Sequence, residues 1–176
     1  MRQGSQPRFL LDVMLGSLAR WLRLLGYDTL YFNEGEDSVL LSRARARRRL
    51  LVTRDRELAG RRDAKGVILL RSRQLCRQWS ELVVACNLRP DRNRLMTRCG
   101  DCNTRIVPLS REAARRRVPP YVHATRRRFR RCPTCDRVFW RATHVTGIAS
   151  RLEKFLQAAR LSRARAATGR RARRLP

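Results

Sequence analysis

The sequence predicts an α/β protein: a mostly parallel sheet with flanking helices, followed by a small cysteine-built module and a terminal helix. Two observations carry the prediction. Up to about residue 90, short apolar runs alternate with stretches whose apolar residues recur every three or four positions, as strands joined by amphipathic helices do. Beyond lie two Cys-x-x-Cys pairs, Cys99/Cys102 and Cys132/Cys135, in a stretch dense in arginine. Residues 1–90 are expected to form one domain, 91–146 a cysteine module with a basic insert, and 147–176 a terminal helix with an arginine-rich tail.

Phe9-Leu10-Leu11 is a short apolar run ending at Asp12, which suits a buried strand. Ser17 to Leu25 reads as a helix, with Leu18, Leu22 and Leu25 on one stripe and Gly26 at its C-cap. Thr29 to Phe32 is a second strand. Asp37 or Ser38 opens a helix reaching about Arg47. Leu50 to Thr53 is a third strand, with Asp55 just past its end, and Val67 to Leu70 a fourth. A long helix from about Arg73 to Asn87 carries Leu75, Trp79, Leu82 and Cys86 on one face. Residues 89–97 read as a linker. Residues 147–160 read as a helix, and Arg160 to Pro176 as an Arg/Ala tail, disordered unless bound.

The 176-residue chain carries a formal net charge of +28, from 42 lysines and arginines against 14 acids. Such an excess repels itself unless a polyanion offsets it. Nucleic acid is therefore the first partner to expect, through phosphate contacts and counterion release. The apolar runs are too short to cross a bilayer, and no apolar leader follows the start. These features count against a membrane partner and point to the cytoplasm.

The cysteine spacing points to zinc. A two-residue spacer lets both thiolates of a pair reach one Zn²⁺ at about 2.3 Å, and two pairs complete a tetrahedron. Asn103 and Asp136, directly after each pair, suit a tight turn whose amides face sulfur. A structural Zn²⁺ on Cys99, Cys102, Cys132 and Cys135 is expected. Free thiols, a redox pair and a disulfide framework are the competing readings, and a cytosolic composition counts against the disulfides.

In so basic a chain, a carboxylate at a strand end stands out. Open parallel sheets bind ligands at the carboxyl ends of their strands. Asp12 ends the first strand, Asp55 lies two residues past the third and Asp37 opens the helix between them; converging on one side of the sheet, they would form the set of oxygens that Mg²⁺ or Mn²⁺ requires. A divalent ion so held activates water and stabilises charge on a phosphate. Each acid also has a plainer role. Asp37 alone reads as a helix cap, and Asp55 as a turn residue. Asp12, directly after Phe-Leu-Leu, needs a partner if buried.

At these residues the chain resembles the Mut-seven C-terminal RNase domain family, PIN-like ribonucleases with a zinc ribbon after the nuclease sheet. The matching stretches are Arg8 to Gly16, Leu18 to Arg23, Leu24 to Thr29, Asp37 before Leu40-Leu41, and Leu51 to Asp55. The ribbon matches at Arg98 to Asn103, Val118-Pro119-Pro120, Arg131 to Cys135 and Val138-Phe139-Trp140. The resemblance implies a PIN-like fold and a metal-dependent endoribonuclease. By position it makes Asp12, Asp37 and Asp55 the holders of the ion, with Arg54 and Arg20 on the scissile phosphate. The fourth acid common in PIN domains has only Glu57 and Asp63 as candidates. The arginine-rich tail lies outside the family pattern.

Arg115, Arg116, Arg117, Arg126, Arg127, Arg128, Arg130 and Arg131 in the module, with Arg170, Arg171, Arg173 and Arg174 in the tail, form the expected nucleic-acid-binding set. Tyr121 is a candidate for base stacking. Trp21, Trp79, Cys76 and Cys86 are expected in the core, and Phe139 and Trp140 over the zinc module. His123 and His144 lack ligand spacing and read as RNA contacts or plain surface. Two functions compete: an endoribonuclease whose ribbon and tail grip RNA, ribosomal RNA or tRNA among the candidates, and a non-catalytic RNA- or ribosome-binding factor on the same fold. A toxin of PIN type is a third, disfavoured by the added module.

Overall fold

The computed structural model describes residues 6–32, 36–140 and 146–172. The first elements are β1 (Phe9–Leu11), a 3₁₀ turn (Val13–Leu15), α1 (Gly16–Leu24), β2 (Thr29–Tyr31) and α2 (Asp37–Ala46). Then come β3 (Leu50–Thr53), α3 (Arg56–Gly60), β4 (Ile68–Leu69) and α4 (Leu75–Cys86). The four strands pair in parallel, in the order β2-β1-β3-β4. The chain steps from β1 outward to β2, then crosses back over β1 to β3. Strand direction of travel therefore reverses between β1 and β3, the switch point where open α/β sheets hold ligands.

Alternate strand residues feed two cores, as a sheet covered on both faces requires. Phe9, Leu11 and Val52 pack with Leu18 and Leu22 of α1 and Trp79 and Leu82 of α4. Leu10 and Leu51 pack on the other face with Leu40 and Leu41 of α2 and Leu58 of α3. The first core is closed by α7 (Thr146–Ala172), which lies along α4. Trp79 is fully buried and donates its indole N–H to the Phe155 carbonyl at 2.8 Å, while Trp21 stacks on the Phe155 ring at 5.3 Å.

The module that follows contains β5 (Val107–Leu109), α5 (Arg111–Ala114), α6 (Pro120–Thr125), β6 (Phe129–Arg131) and β7 (Val138–Trp140). Its strands form an antiparallel sheet in the order β5-β6-β7. Ala114, Val118, Val122 and Phe129 make its small core, with Trp140 against it.

Several expectations are corrected. Residues 89–97 are no free linker: they form a 3₁₀ turn (Arg92–Arg94) pressed on the end of α1, where the Met96 amide donates to the Leu24 carbonyl at 2.8 Å. Gly26 makes this approach possible, because its φ is +91° and an added Cβ would stand 2.5 Å from the Arg94 carbonyl oxygen. The terminal helix does not stop near residue 160 but runs on to Ala172. Ala, Arg and Leu are strong helix formers, and packing on α4 supplies the nucleus. Neither Asp37 nor Ser38 caps α2: Glu36 holds the N-cap position and gives no side-chain bond there. Cys76 is exposed, on the side of α4 shared with Ser80, whereas Cys86 is half-buried and burial pushes its thiol up to about 11. Among the described residues, no helix is long and apolar enough to cross a membrane.

Candidate active site and metal centre

Asp12 stands directly after β1, only 8% exposed. Its Oδ1 accepts from the Val13 amide at 2.6 Å, and its Oδ2 accepts from the Thr53 hydroxyl at 2.6 Å. Thr53 is fully buried at the end of β3, and its Oγ1 also accepts from the Asp55 amide at 2.9 Å. Asp55 caps α3, its Oδ1 accepting from the amides of Glu57 (2.7 Å) and Leu58 (3.1 Å). Thus the two acids flank the switch point on adjacent strands, joined through one hydroxyl. Thr53 escaped the sequence reading. Its signal was a polar residue closing an otherwise apolar strand, where a buried hydroxyl needs a partner.

Asp37 begins α2 at the same edge and is exposed. Among the described residues, however, Asp12, Asp37 and Asp55 do not gather their oxygens within 4.8 Å of one another, a span that the four cysteines meet. Arg54 is half-buried beside Asp55, and its Nε is buried without a hydrogen-bond partner. Arg20 is engaged elsewhere, its Nη1 lying 3.0 Å from Asp101 in the first knuckle. Glu57 lies in the first turn of α3, while Asp63 sits in the loop leading into β4 and pairs with Arg61 at 3.0 Å.

The sulfurs of Cys99, Cys102, Cys132 and Cys135 lie within 4.8 Å of one another, with 3.7 Å between those of Cys99 and Cys135. A tetrahedron with metal–sulfur bonds of about 2.3 Å has edges of about 3.8 Å, so the donor set fits Zn²⁺. The two knuckles share one backbone design. The Asn103 amide donates to the Cys99 carbonyl at 3.1 Å and the Asp136 amide to the Cys132 carbonyl at 2.9 Å. Both Asn103 (φ 65°) and Asp136 (φ 57°) adopt the left-handed conformation that asparagine and aspartate tolerate. Burial pushes the Cys132 thiol up, but the amides of Cys135 and Thr134 and the neighbouring thiols outweigh it and bring it down to about 7. Phe139 packs against the cluster, as expected.

The first knuckle is built onto the parallel sheet. Asn103 accepts from the Thr29 amide at 2.9 Å and donates to Asp28 at 2.8 Å. Asp28 also pairs with Arg49 at 2.8 Å and Arg98 at 3.7 Å. Burial pushes the Asp28 carboxyl up, but these hydrogen bonds and cations prevail and hold it below its usual range.

The basic residues divide into two groups. Arg117 and Arg131 pair with Asp136. Arg115, Arg116, Arg127, Arg128 and Arg130 are exposed and form no ion pair among the described residues. Arg126 is half-buried, and its carbonyl accepts from Arg111 at 2.7 Å. Tyr121 is 67% exposed. The His123 ring stacks on Phe129, and its Nε2 lies 3.0 Å from the Arg111 carbonyl oxygen. Arg170 and Arg171 fall on the last turn of α7, while His144, Arg173 and Arg174 lie outside the described residues.

A family model described as the Mut7-C RNAse domain matches residues 7–152. No curated protein and no solved structure matches the chain.

Proposed function

The chain belongs to the Mut7-C RNAse domain family, and from that premise we propose that it is a metal-dependent endoribonuclease that hydrolyses RNA phosphodiesters. Family membership gives it a nuclease- or RNA-related role. The observation that carries the finer reading is the Asp12–Thr53–Asp55 relay at the switch point.

Asp12, Asp55 and Asp37 would hold Mg²⁺ or Mn²⁺, an ion that supplies an activated water and offsets charge on the phosphate. An ionised carboxylate has about four acceptor sites. Asp12 uses one on each oxygen, which leaves both oxygens able to take a cation. Thr53 holds the Asp12 carboxylate in one orientation. Arg54, half-buried beside Asp55, would hold the scissile phosphate, and Arg20 would have to leave its pairing with Asp101 to join it. Zn²⁺ on the four cysteines is structural, and the arginines of the module and the C-terminal tail grip the RNA backbone. In this reading residues 1–90 do the chemistry, 91–146 and 147–176 hold substrate, and the protein works in the cytoplasm on RNA, ribosomal RNA and tRNA included.

The separation of Asp37 from a tight carboxylate group supports a second reading, a non-catalytic RNA- or ribosome-binding factor. Cleavage of RNA with Mg²⁺ or Mn²⁺, stopped by EDTA, separates the two. Binding without cleavage under any divalent ion selects the second.

A further inference from the structure

Arg23 lies inside α1 and is 8% exposed. Its Nε donates to the Thr29 carbonyl at 2.9 Å, and its Nη1 donates to the carbonyls of Gly100 (3.0 Å) and Asp101 (2.7 Å) in the first cysteine knuckle. Every one of these partners is neutral. Among the described residues no carboxylate pairs with Arg23, and the Asp101 side chain is taken by Arg20 and Arg137. A buried charge without a counter-charge is strongly destabilising. Gly100 and Asp101 are the two residues between the ligands Cys99 and Cys102, so Arg23 is bonded to the very loop that spans the centre. Four thiolates around one divalent ion leave a net of about −2 on the centre.

We infer that Arg23 is the positioning residue of the cysteine metal centre: it fixes the backbone of the Cys99–Cys102 loop from inside the nuclease sheet, and the metal–thiolate centre is its missing counter-ion. The inference rests on the reading of the cysteine cluster as a metal centre. It makes metal loading and the seating of α1 and β2 one cooperative event. Close packing supports the same view, since a Cβ on Gly100 would stand 3.3 Å from Arg20 Cγ and 3.4 Å from Leu24 Cδ2. The knuckle backbone cannot slide on α1 without losing the Arg23 bonds.

The test compares the parent with Arg23→Gln, Arg23→Lys and Leu82→Ala, the last a core change remote from the knuckle. Each is loaded with Co²⁺ for its thiolate charge-transfer spectrum, and with Zn²⁺ for its release rate into excess chelator. Arg23→Gln is expected to release zinc about 10- to 100-fold faster, the usual effect of losing a group that orients metal ligands, and to shift the cobalt bands. Arg23→Lys should restore part of both, because the charge remains. Leu82→Ala should lower thermal stability with little change in either. Release from Arg23→Gln within twofold of the parent overturns the inference, as does equal acceleration by Leu82→Ala. A parent without thiolate–cobalt bands overturns the metal centre itself, and the inference with it. If Arg23→Gln does not fold, proton exchange in the parent decides: the Arg23 side-chain Nε–H, which donates to the Thr29 carbonyl, should lose protection when zinc is stripped, and unchanged protection overturns the inference.

Discussion

The hydroxyl of Thr53 donates to the Asp12 carboxylate at 2.6 Å across the β1–β3 boundary, and the same oxygen accepts the Asp55 amide at 2.9 Å. One buried side chain thereby orients the Asp12 carboxylate and ties down the backbone of Asp55, just past the neighbouring strand. Thr53→Val keeps the shape and removes the hydroxyl. It strips a partner from a carboxylate that is almost fully buried, which should cost about 1–3 kcal/mol of stability. RNA cleavage should fall at least about tenfold, a loss of about 1.4 kcal/mol in transition-state binding. Chemical denaturation and single-turnover cleavage check both numbers.

Gly26→Ala tests the docking of residues 92–96 on α1. The backbone there has φ +91°, and the new methyl carbon would meet the Arg94 carbonyl oxygen at 2.5 Å. The expected loss exceeds the roughly 1 kcal/mol that left-handed strain alone explains. A melting temperature equal to the parent's would mean that these residues do not sit against α1.

The Asp28 network gives a pH dependence of defined sign. The folded carboxyl lies below its ordinary range, so its contribution is present above about pH 4, the range of a free aspartate, and fades as pH falls through the folded value. The stability gap between the parent and Asp28→Asn should be constant near neutrality and shrink under acid. A gap that widens on acidification would reverse the assignment.

RNA affinity should fall steeply with salt, because each neutralised phosphate adds about 0.7–0.9 to the log–log slope. Replacing Arg127, Arg128 and Arg130 together by glutamine should lower that slope by about 2–3 and weaken all sequences alike. Fluorescence anisotropy across a salt series measures it. A slope unchanged in the triple variant would place the RNA elsewhere.

The four parallel strands and the cysteine centre were legible because their signals are local. Phe9-Leu10-Leu11 and Leu50-Leu51-Val52 are unbroken apolar runs, and the knuckle spacing is fixed by metal geometry. The short helix α3 was not legible, since Leu58 is its one buried residue and gives no period. β6 was hidden by its arginines, with only Phe129 facing the small core. Arg23 was invisible for the opposite reason: it sits among leucines on α1, and its role comes from carbonyls 77 and 78 residues away. The parallel pairing of β1 and β3 puts Asp12 and Asp55 past the ends of adjacent strands, tied through Thr53, whereas Asp37 begins α2, a position no strand pattern specifies.

The central claim is that Asp12 and Asp55, joined by Thr53, work on a phosphodiester. The most direct measurement is the rate at which purified protein cuts a labelled RNA in Mn²⁺ or Mg²⁺, with parent and Asp12→Asn compared at equal RNA binding. The expected result is cleavage by the parent that EDTA abolishes and that Asp12→Asn lowers by at least about a hundredfold, as loss of a metal-holding carboxylate in such a site would. Equal cutting by both proteins, or cutting that persists in EDTA, would contradict it.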